Sequence, residues 1–369
     1  MKLTILHTEA SNGWGGQEIR TFREAVGMRE RGHKLIIAAG VESQLLYRSK
    51  KEGFKTIPVS FKRRYGISII LFLKKLIEKE KIDIVNTHSS KDSWLALPAA
   101  RIAANKPLVM RTRHLSTKIH GGILNRFLYN YLPHYVLTTG EAIRMQMIEK
   151  NGFDGNKIKS IPTGVDTDIF SPDRSFSNIR EELNLEPSVP VVGAVSVIRS
   201  WKGLDYLVKA APLILKEIPD AKFLIAGDGP YRERLEKTIK QVRGKDTVYL
   251  LGHREDVASI INSIDILVHP SYANEGVPQT VLQAMAMKKP VIASGLPSLK
   301  EVVIDNKTGI IVPPKDPEGI ARAVIKLLCD KELARELGES GMALAKTSYS
   351  FKLMLDKLEN LYAGDIKGV

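Results

Sequence analysis

The 369-residue chain contains one cysteine, Cys329, so it cannot close an internal disulfide and reads as a protein of a reducing compartment. No stretch approaches the roughly twenty consecutive apolar residues that span a bilayer. The opening MKLTILHTEAS lacks the length and the cleavage site of a secretory leader and reads as a first strand. A cytoplasmic protein is expected. The glycine loop after that strand, NGWGGQE, is not spaced as GxGxxG, and the second strand ends in AAG without the expected acid, so dinucleotide binding is disfavoured. Aromatic residues make up 7% of the chain, and basic residues are not interleaved with them on short strands, which places nucleic acid last among partners.

What is present is a normal soluble composition, 43% hydrophobic and 26% charged, in a chain long enough for two domains. The net charge of +14 is unevenly placed: residues 1–170 carry about +13 and the remainder about +1. A merely basic surface explains this as well as an anionic partner does. Such a partner would be a phospholipid surface or a phosphorylated acceptor.

Strand-like runs alternate with helix-like segments throughout, which predicts parallel α/β architecture. KLTILHT, HKLIIAAG, FKTIPVS, DIVNTHS, KPLVMRTRH and YVLTTG read as strands of a first half. VPVVGAVS, AKFLIAGDG, TVYLLGH, IDILVHPS, KPVIAS and TGIIVP read as strands of a second. Between them lie amphipathic stretches such as EIRTFREAVGMRERG, with Phe22, Ala25, Val26 and Met28 on one side. The Pro-, Ser- and Asn-rich segment 172–190 suggests a hinge between two such units. The segment RRYGISIILFLKKLIEKEK, from Arg63, alternates apolar residues with lysines and has two readings. One is a membrane-surface helix; the other, favoured because a strand follows at once, is a crossover helix covering a sheet.

Ligands of open parallel sheets bind beyond the carboxyl ends of strands. Three loops there carry chemistry. In NGWGGQE, Gly13, Gly15 and Gly16 permit close backbone approach to an anion or a sugar. In VSVIRSWKG, Arg199 and Lys202 place two cations before a helix expected from about Leu204, which suits a diphosphate. In YANEGVPQTVLQAMAMKKPVIAS, Glu275 stands just before a helix expected from Pro278, with Gln283 eight positions on. A carboxylate beside a phosphate site makes sense if it accepts hydrogen bonds from hydroxyls of the same ligand; the alternative is a helix-capping role. Phosphate at a helix end and hydroxyls at an acid together describe a nucleotide sugar.

With these residues the chain resembles the retaining family-4 glycosyltransferases (glycosyl transferases group 1) of GT-B fold over essentially its whole length. The matching pieces are GGQE at 15–18, TRH at 112–114, TGVDTDIF at 163–170, WKG at 201–203, AGDGP at 227–230 and NEGVPQTVLQAMA at 274–286. The resemblance implies two Rossmann-like α/β/α domains with parallel sheets facing across a cleft. The expected boundaries are 1–170 for the acceptor-side domain, with a C-terminal helix at about 350–365 packing back onto it, and 171–349 for the donor-binding domain. It implies that Glu275 holds donor-sugar hydroxyls beside Gly276, Val277, Pro278 and Gln279, that Lys202 contacts the diphosphate, and that the Gly15–Gly16 backbone approaches the phosphates. His114 would line the transfer site, joining Glu275 and Lys202 as the catalytic set, and the backbone near Arg254 would lie against the base. No metal is implied, since cations and a helix end neutralise the leaving diphosphate.

Two departures stand out. The family's second glutamate is Gln283 here, whose amide can still accept from one ribose hydroxyl and donate to another. The family's arginine falls five or six places before the lysine, whereas Arg199 is three before, which makes Lys202 the stronger diphosphate contact. The implied reaction is transfer from a UDP-, GDP- or ADP-sugar to a glycan or lipid-linked acceptor with retained configuration. The departing phosphate oxygen would take the acceptor's proton, so no side-chain base is assigned. A sugar-nucleotide epimerase and a non-catalytic sugar-binding protein are the alternatives. The expected setting is cell-surface or lipopolysaccharide synthesis at the inner membrane face, the basic half meeting anionic lipid.

Overall fold

The computed structural model describes residues 2–62, 66–119 and 122–366. Two parallel sheets organise the chain. The first contains β1 (Thr4–Glu9), β2 (Lys34–Ala39), β3 (Lys55–Pro58), β4 (Ile84–Thr87), β5 (Leu108–Arg113), β6 (Tyr135–Thr138) and β7 (Ile158–Ser160). The second contains β8 (Val191–Val195), β9 (Lys222–Ala226), β10 (Val248–Gly252), β11 (Ile266–His269), β12 (Val291–Ser294) and β13 (Ile310–Val312). The orders are β3-β2-β1-β4-β5-β6-β7 and β10-β9-β8-β11-β12-β13, so each sheet reverses direction of growth once, between β1 and β4 and between β8 and β11. Ligand sites of doubly wound sheets lie at such reversals. Every strand named in the sequence reading forms. The short edge strand β7 does not show in the sequence, because three residues with a central lysine carry no alternation to detect.

Helices cover both faces because alternate strand residues are apolar on both. In the second sheet, Val192, Phe223, Ile225, Ile266, Val268 and Ile292 pack against the helices Leu204–Glu217 and Pro317–Cys329. Their neighbours Val191, Leu224, Leu267, Val291 and Ala293 pack on the opposite side with the helix Gln279–Ala286. Each such side chain taken fully out of water contributes about 1.5–3 kcal/mol. These layers hold the strand ends, and therefore the loops that follow them, in fixed positions.

The chain forms two compact units, Met1–Pro162 with Met354–Val369, and Thr163–Leu353. Residues 163–170, read from the sequence as the end of the first domain, belong to the second, where Val165 pairs with Ser350 and donates to the Tyr349 carbonyl at 2.8 Å. The Pro-rich segment 172–190 also lies within the second unit, where Arg180 binds Asp265 at 2.9 Å. The helix Phe351–Ile366 belongs to the first unit from Met354 onward. There Asp356 and Glu359 pair with Arg31, and Tyr362 is buried beside the Arg20–Glu24 pair.

Arg63, Arg64 and Tyr65 lie outside the described residues. The helix that follows, Gly66–Lys79, buries Ile69, Leu73, Leu76 and Ile77 against the first sheet's core, as a crossover helix does. Its Ile67, Leu71 and Phe72 are exposed. No helix of the described residues is long and apolar enough to cross a membrane.

Candidate active site

In the second unit the candidate side chains Lys202 and Glu275 converge at the reversal between β8 and β11. The turn after β8 ends in the short 3-10 segment Ser200–Lys202 and then Gly203, whose φ of +69° is left-handed. A Cβ there would stand 2.1 Å from the Pro270 carbonyl oxygen, so only glycine lets the two loops close together. The Tyr272 N–H donates to the Trp201 carbonyl at 2.8 Å and ties them further. This closure brings Lys202 Nζ to 2.6 Å from Glu275 Oε1 across 73 residues of sequence.

Glu275 is 4% exposed and has a second partner, His269 Nε2, at 3.4 Å. Burial alone would raise its carboxyl; the charge of Lys202 and the hydrogen bonds from His269 and Lys202 outweigh it and bring the pKa down to about 2. Burial lowers the His269 pKa, against the pull of Glu275, and Ser271 Oγ lies 3.2 Å from the same ring nitrogen. The result is a desolvated carboxylate kept ionised by one cation, suited to accepting hydrogen bonds from hydroxyls. His269 did not emerge from the sequence reading. Its signal was its place, the last residue of a strand beside the reversal.

The turn into the next helix uses Asn274 at φ +57°, a conformation asparagine tolerates. The helix is Gln279–Ala286, and Pro278 is its extended N-cap rather than its first residue, with no side-chain cap. Glu275 therefore does not cap this helix; it faces Lys202. Gly276, Val277 and Pro278 are buried, Gln279 is half-buried and Gln283 is 9% exposed. Arg199 stacks over the Trp201 ring at 5.1 Å, and among the described residues it has no hydrogen bond or ion pair to this cluster. Arg254 forks between Glu182 (2.7 and 2.9 Å) and Asp256 (2.8 Å), so two carboxylates engage its guanidinium. The AGDGP loop packs onto the turn after β8: a Cβ on Gly227 would stand 1.8 Å from the Ser196 carbonyl oxygen.

The first unit carries its own set at the reversal between β1 and β4. The Gly15 N–H donates to Glu18 Oε2 at 2.8 Å, a capping-box contact that sets a carboxylate at the start of the helix Gly16–Glu30. A Cβ on Gly16 would meet nothing within 4 Å. Glu9, at the end of β1, is buried; burial and then the nearby Asp92 push its carboxyl up to about 8, against hydrogen bonds from the Ser11 N–H (2.8 Å) and Gln17. Asp92 accepts from Thr8 Oγ1 at 2.7 Å and from the His88 N–H at 3.0 Å. His114, 8% exposed, follows β5, and its Nε2 lies 3.0 Å from His88 Nδ1. Neither Glu9, Asp92 nor His88 was singled out from the sequence.

Comparison with known proteins bears on this arrangement. Residues 14–169 match the model of Glycosyltransferase Family 4, and residues 175–343 match that of Glycosyl transferases group 1. The UDP-Gal:alpha-D-GlcNAc-diphosphoundecaprenol alpha-1,3-galactosyltransferase of Escherichia coli is 29% identical, over 79% of this chain and 78% of its own. The GDP-mannose-dependent alpha-(1-6)-phosphatidylinositol monomannoside mannosyltransferase of Mycolicibacterium smegmatis is 27% identical, over 76% and 70%. The crystal structure of Anabaena Alr3699/HepE in complex with UDP-glucose has the same fold, with a TM-score of 0.87 at 18% identity over 98% of this chain and 100% of that one. The two family models between them take in both sheets and the strand-end loops just described, and the chain belongs to the family-4, group 1 glycosyltransferases of GT-B fold.

Proposed function

We propose that the protein transfers a glycosyl group from a nucleotide-sugar donor to a glycan or lipid-linked acceptor, with retention of configuration and without a metal ion. The observation that carries the reading is the Lys202–Glu275–His269 cluster at the β8/β11 reversal. It combines a cation for a diphosphate with an ionised, desolvated acceptor for sugar hydroxyls. In the donor complex the diphosphate takes over the lysine and hydroxyls take over the carboxylate. The Gly276–Gln279 backbone lies beside the sugar, and the Gln283 amide takes the ribose. The Gly15–Gly16 turn and His114 are the first unit's contributions to the transfer. Departure of the nucleoside diphosphate leaves an oxocarbenium-like sugar, and Lys202 stabilises the charge that develops on the leaving group. Its oxygen takes the acceptor's proton, so no side-chain base is required.

The setting we infer is synthesis of a cell-surface glycan, such as lipopolysaccharide, at the inner face of the membrane. In support, the relatives named above act on a diphosphoundecaprenol-linked sugar and on a phosphatidylinositol mannoside. The first unit also exposes Ile67, Leu71 and Phe72 on one helix, and Ile123, Leu124, Phe127 and Tyr131 on another stretch. These sit in the half with about +13 of charge, the combination that seats a surface on anionic lipid.

The test is incubation with UDP-sugars, GDP-mannose and ADP-heptose, each with and without a lipid-linked or core-oligosaccharide acceptor. Acceptor-dependent nucleotide release is expected. Release indifferent to every acceptor would favour an epimerase, and no release or binding would favour a different role altogether. Sedimentation with anionic vesicles should show binding at low salt that weakens at high salt; none at low salt removes the membrane setting.

A further inference from the structure

Three histidines stand in line inside the first unit, and the reaction as proposed uses only the last. His7 Nδ1 lies 2.9 Å from His88 Nε2, and His88 Nδ1 lies 3.0 Å from His114 Nε2. The ring centroids are 5.1 and 5.3 Å apart and the planes are tilted by 23° and 36°, as in rings that meet end to end through their nitrogens. They do not converge on a metal: among the described residues no group of three or more His, Cys, Asp or Glu side chains is arranged to hold one.

The surroundings favour the neutral form of all three rings. Burial lowers His7 to about 4; burial, then His7, His114 and Arg20, lower His88 well below the ordinary value; burial, then Arg20 and Arg113, do the same for His114. The acids nearby do not reverse this. Asp92 is occupied by the His88 amide and Thr8, Glu24 faces Arg20, and Glu9 is pushed up to about 8.

Three neutral imidazoles carry three ring protons, and the two shared bonds take up two of them. The third sits at one end of the line. One end is His7 Nε2, buried and without a hydrogen-bond partner among the described residues. The other is His114 Nδ1, which no described residue engages, on the ring with the most exposure of the three, 8% against 4% and 0%. An N–H at the closed end would be an orphaned buried donor, at a cost of about 1–3 kcal/mol, and orphaned donors are rarer than orphaned acceptors. An N–H at the open end meets water or a ligand.

We propose that His7 and His88 are positioning residues that align the protons of the line, His7 donating to His88 and His88 to His114, so that His114 offers a neutral Nδ1–H to an oxygen of the sugar substrate. The inference rests on the reading of His114 as part of the transfer site. An uncharged donor matches a sugar hydroxyl rather than a phosphate, and it stays in that form throughout the neutral pH range.

The experiment is long-range nitrogen–proton correlation NMR on the full chain labelled with 15N-histidine. All three rings are expected as Nδ1–H tautomers, unchanged from about pH 5.5 to 8. An Nε2–H tautomer or an imidazolium at His114 near neutral pH overturns the proposal. In His88→Leu, His114 should show mixed tautomers while staying neutral, since its burial and the charges of Arg20 and Arg113 are unchanged. Nucleotide release from whichever of UDP-glucose, GDP-mannose or ADP-heptose the enzyme accepts should then fall severalfold, by a factor that stays the same from about pH 8 to 5.5, as the Nδ1–H fraction of His114 drops. A His114 that stays wholly Nδ1–H in a folded His88→Leu protein also overturns it; if that variant does not fold, the wild-type spectrum decides. His114→Ala separates the two readings. Full activity alongside the Nδ1–H spectrum would sink the role of His114 in transfer and leave the proton alignment standing. Lost activity alongside an Nε2–H spectrum would sink the alignment alone.

Discussion

Replacing Glu275 by glutamine removes a charge while nearly keeping the side chain's shape, so it isolates what the carboxylate contributes. The folded carboxyl has a pKa of about 2 against an ordinary 4.5, set by Lys202 and His269 against the cost of burial. Because the folded value is the lower one, ionisation stabilises the fold above about pH 5, and this contribution disappears as pH falls toward 2. The difference corresponds to about 3 kcal/mol at pH 7 and about 1.4 kcal/mol at pH 3. Glu275→Gln mimics the protonated form and should be less stable than wild type by about those amounts in urea unfolding at the two pH values. A gap that does not narrow at low pH would refute the electrostatic account.

The same variant tests donor recognition. A hydrogen bond from a hydroxyl to a carboxylate contributes about 1.5–3 kcal/mol, so calorimetry should show nucleotide-sugar affinity reduced about 10- to 100-fold. Affinity for the free nucleoside diphosphate should hold or rise, because Lys202 loses the carboxylate that occupies it at 2.6 Å. Equal losses for both ligands would mean that Glu275 only shapes the loop. No loss for the sugar nucleotide would remove it from the sugar site.

Gly203→Ala should cost about 2 kcal/mol or more, since a left-handed φ is combined with a Cβ 2.1 Å from the Pro270 oxygen, and diphosphate affinity should fall with it as Lys202 shifts. Thermal unfolding and nucleotide titration check both. Arg20→Leu leaves Glu24 buried without its cation and should destabilise the first unit by about 3–5 kcal/mol, whereas adding Glu24→Leu should recover much of that loss. Denaturant curves of the single and double variants decide. Arg254→Ala should change nucleotide affinity little, because its guanidinium is spent on Glu182 and Asp256; a loss beyond tenfold would show that the side chain meets the base.

The alternation of apolar runs with amphipathic segments was enough to name twelve of the thirteen strands, because buried parallel strands are long in Val, Ile and Leu. Edge strand β7 has three residues and too little pattern to declare itself. Glu275 and Lys202 were legible as members of short motifs at strand ends. Their direct contact was not, and neither was His269, because spacing along the chain says nothing about which loops close on each other. Gly203 mattered in WKG for a reason visible only in three dimensions, the approach of the Pro270 carbonyl. The Pro278 helix start moved by one residue, since proline's fixed φ suits an N-cap as well as a first turn. The stacking of Arg199 on Trp201 is likewise a contact that its place in the motif does not declare.

Local composition thus decides that strands and helices alternate, which faces are apolar, and where glycine, proline and acids punctuate the strand ends, because these are properties of neighbouring residues. Which strand lies beside which is set by packing, and packing places β1 next to β4 and β8 next to β11. Those two adjacencies bring together His7 with His88, 81 residues apart, and Lys202 with Glu275, 73 apart. The charge on the glutamate and the protons on the histidines follow from burial and from those partners, so they exist only once the chain has folded.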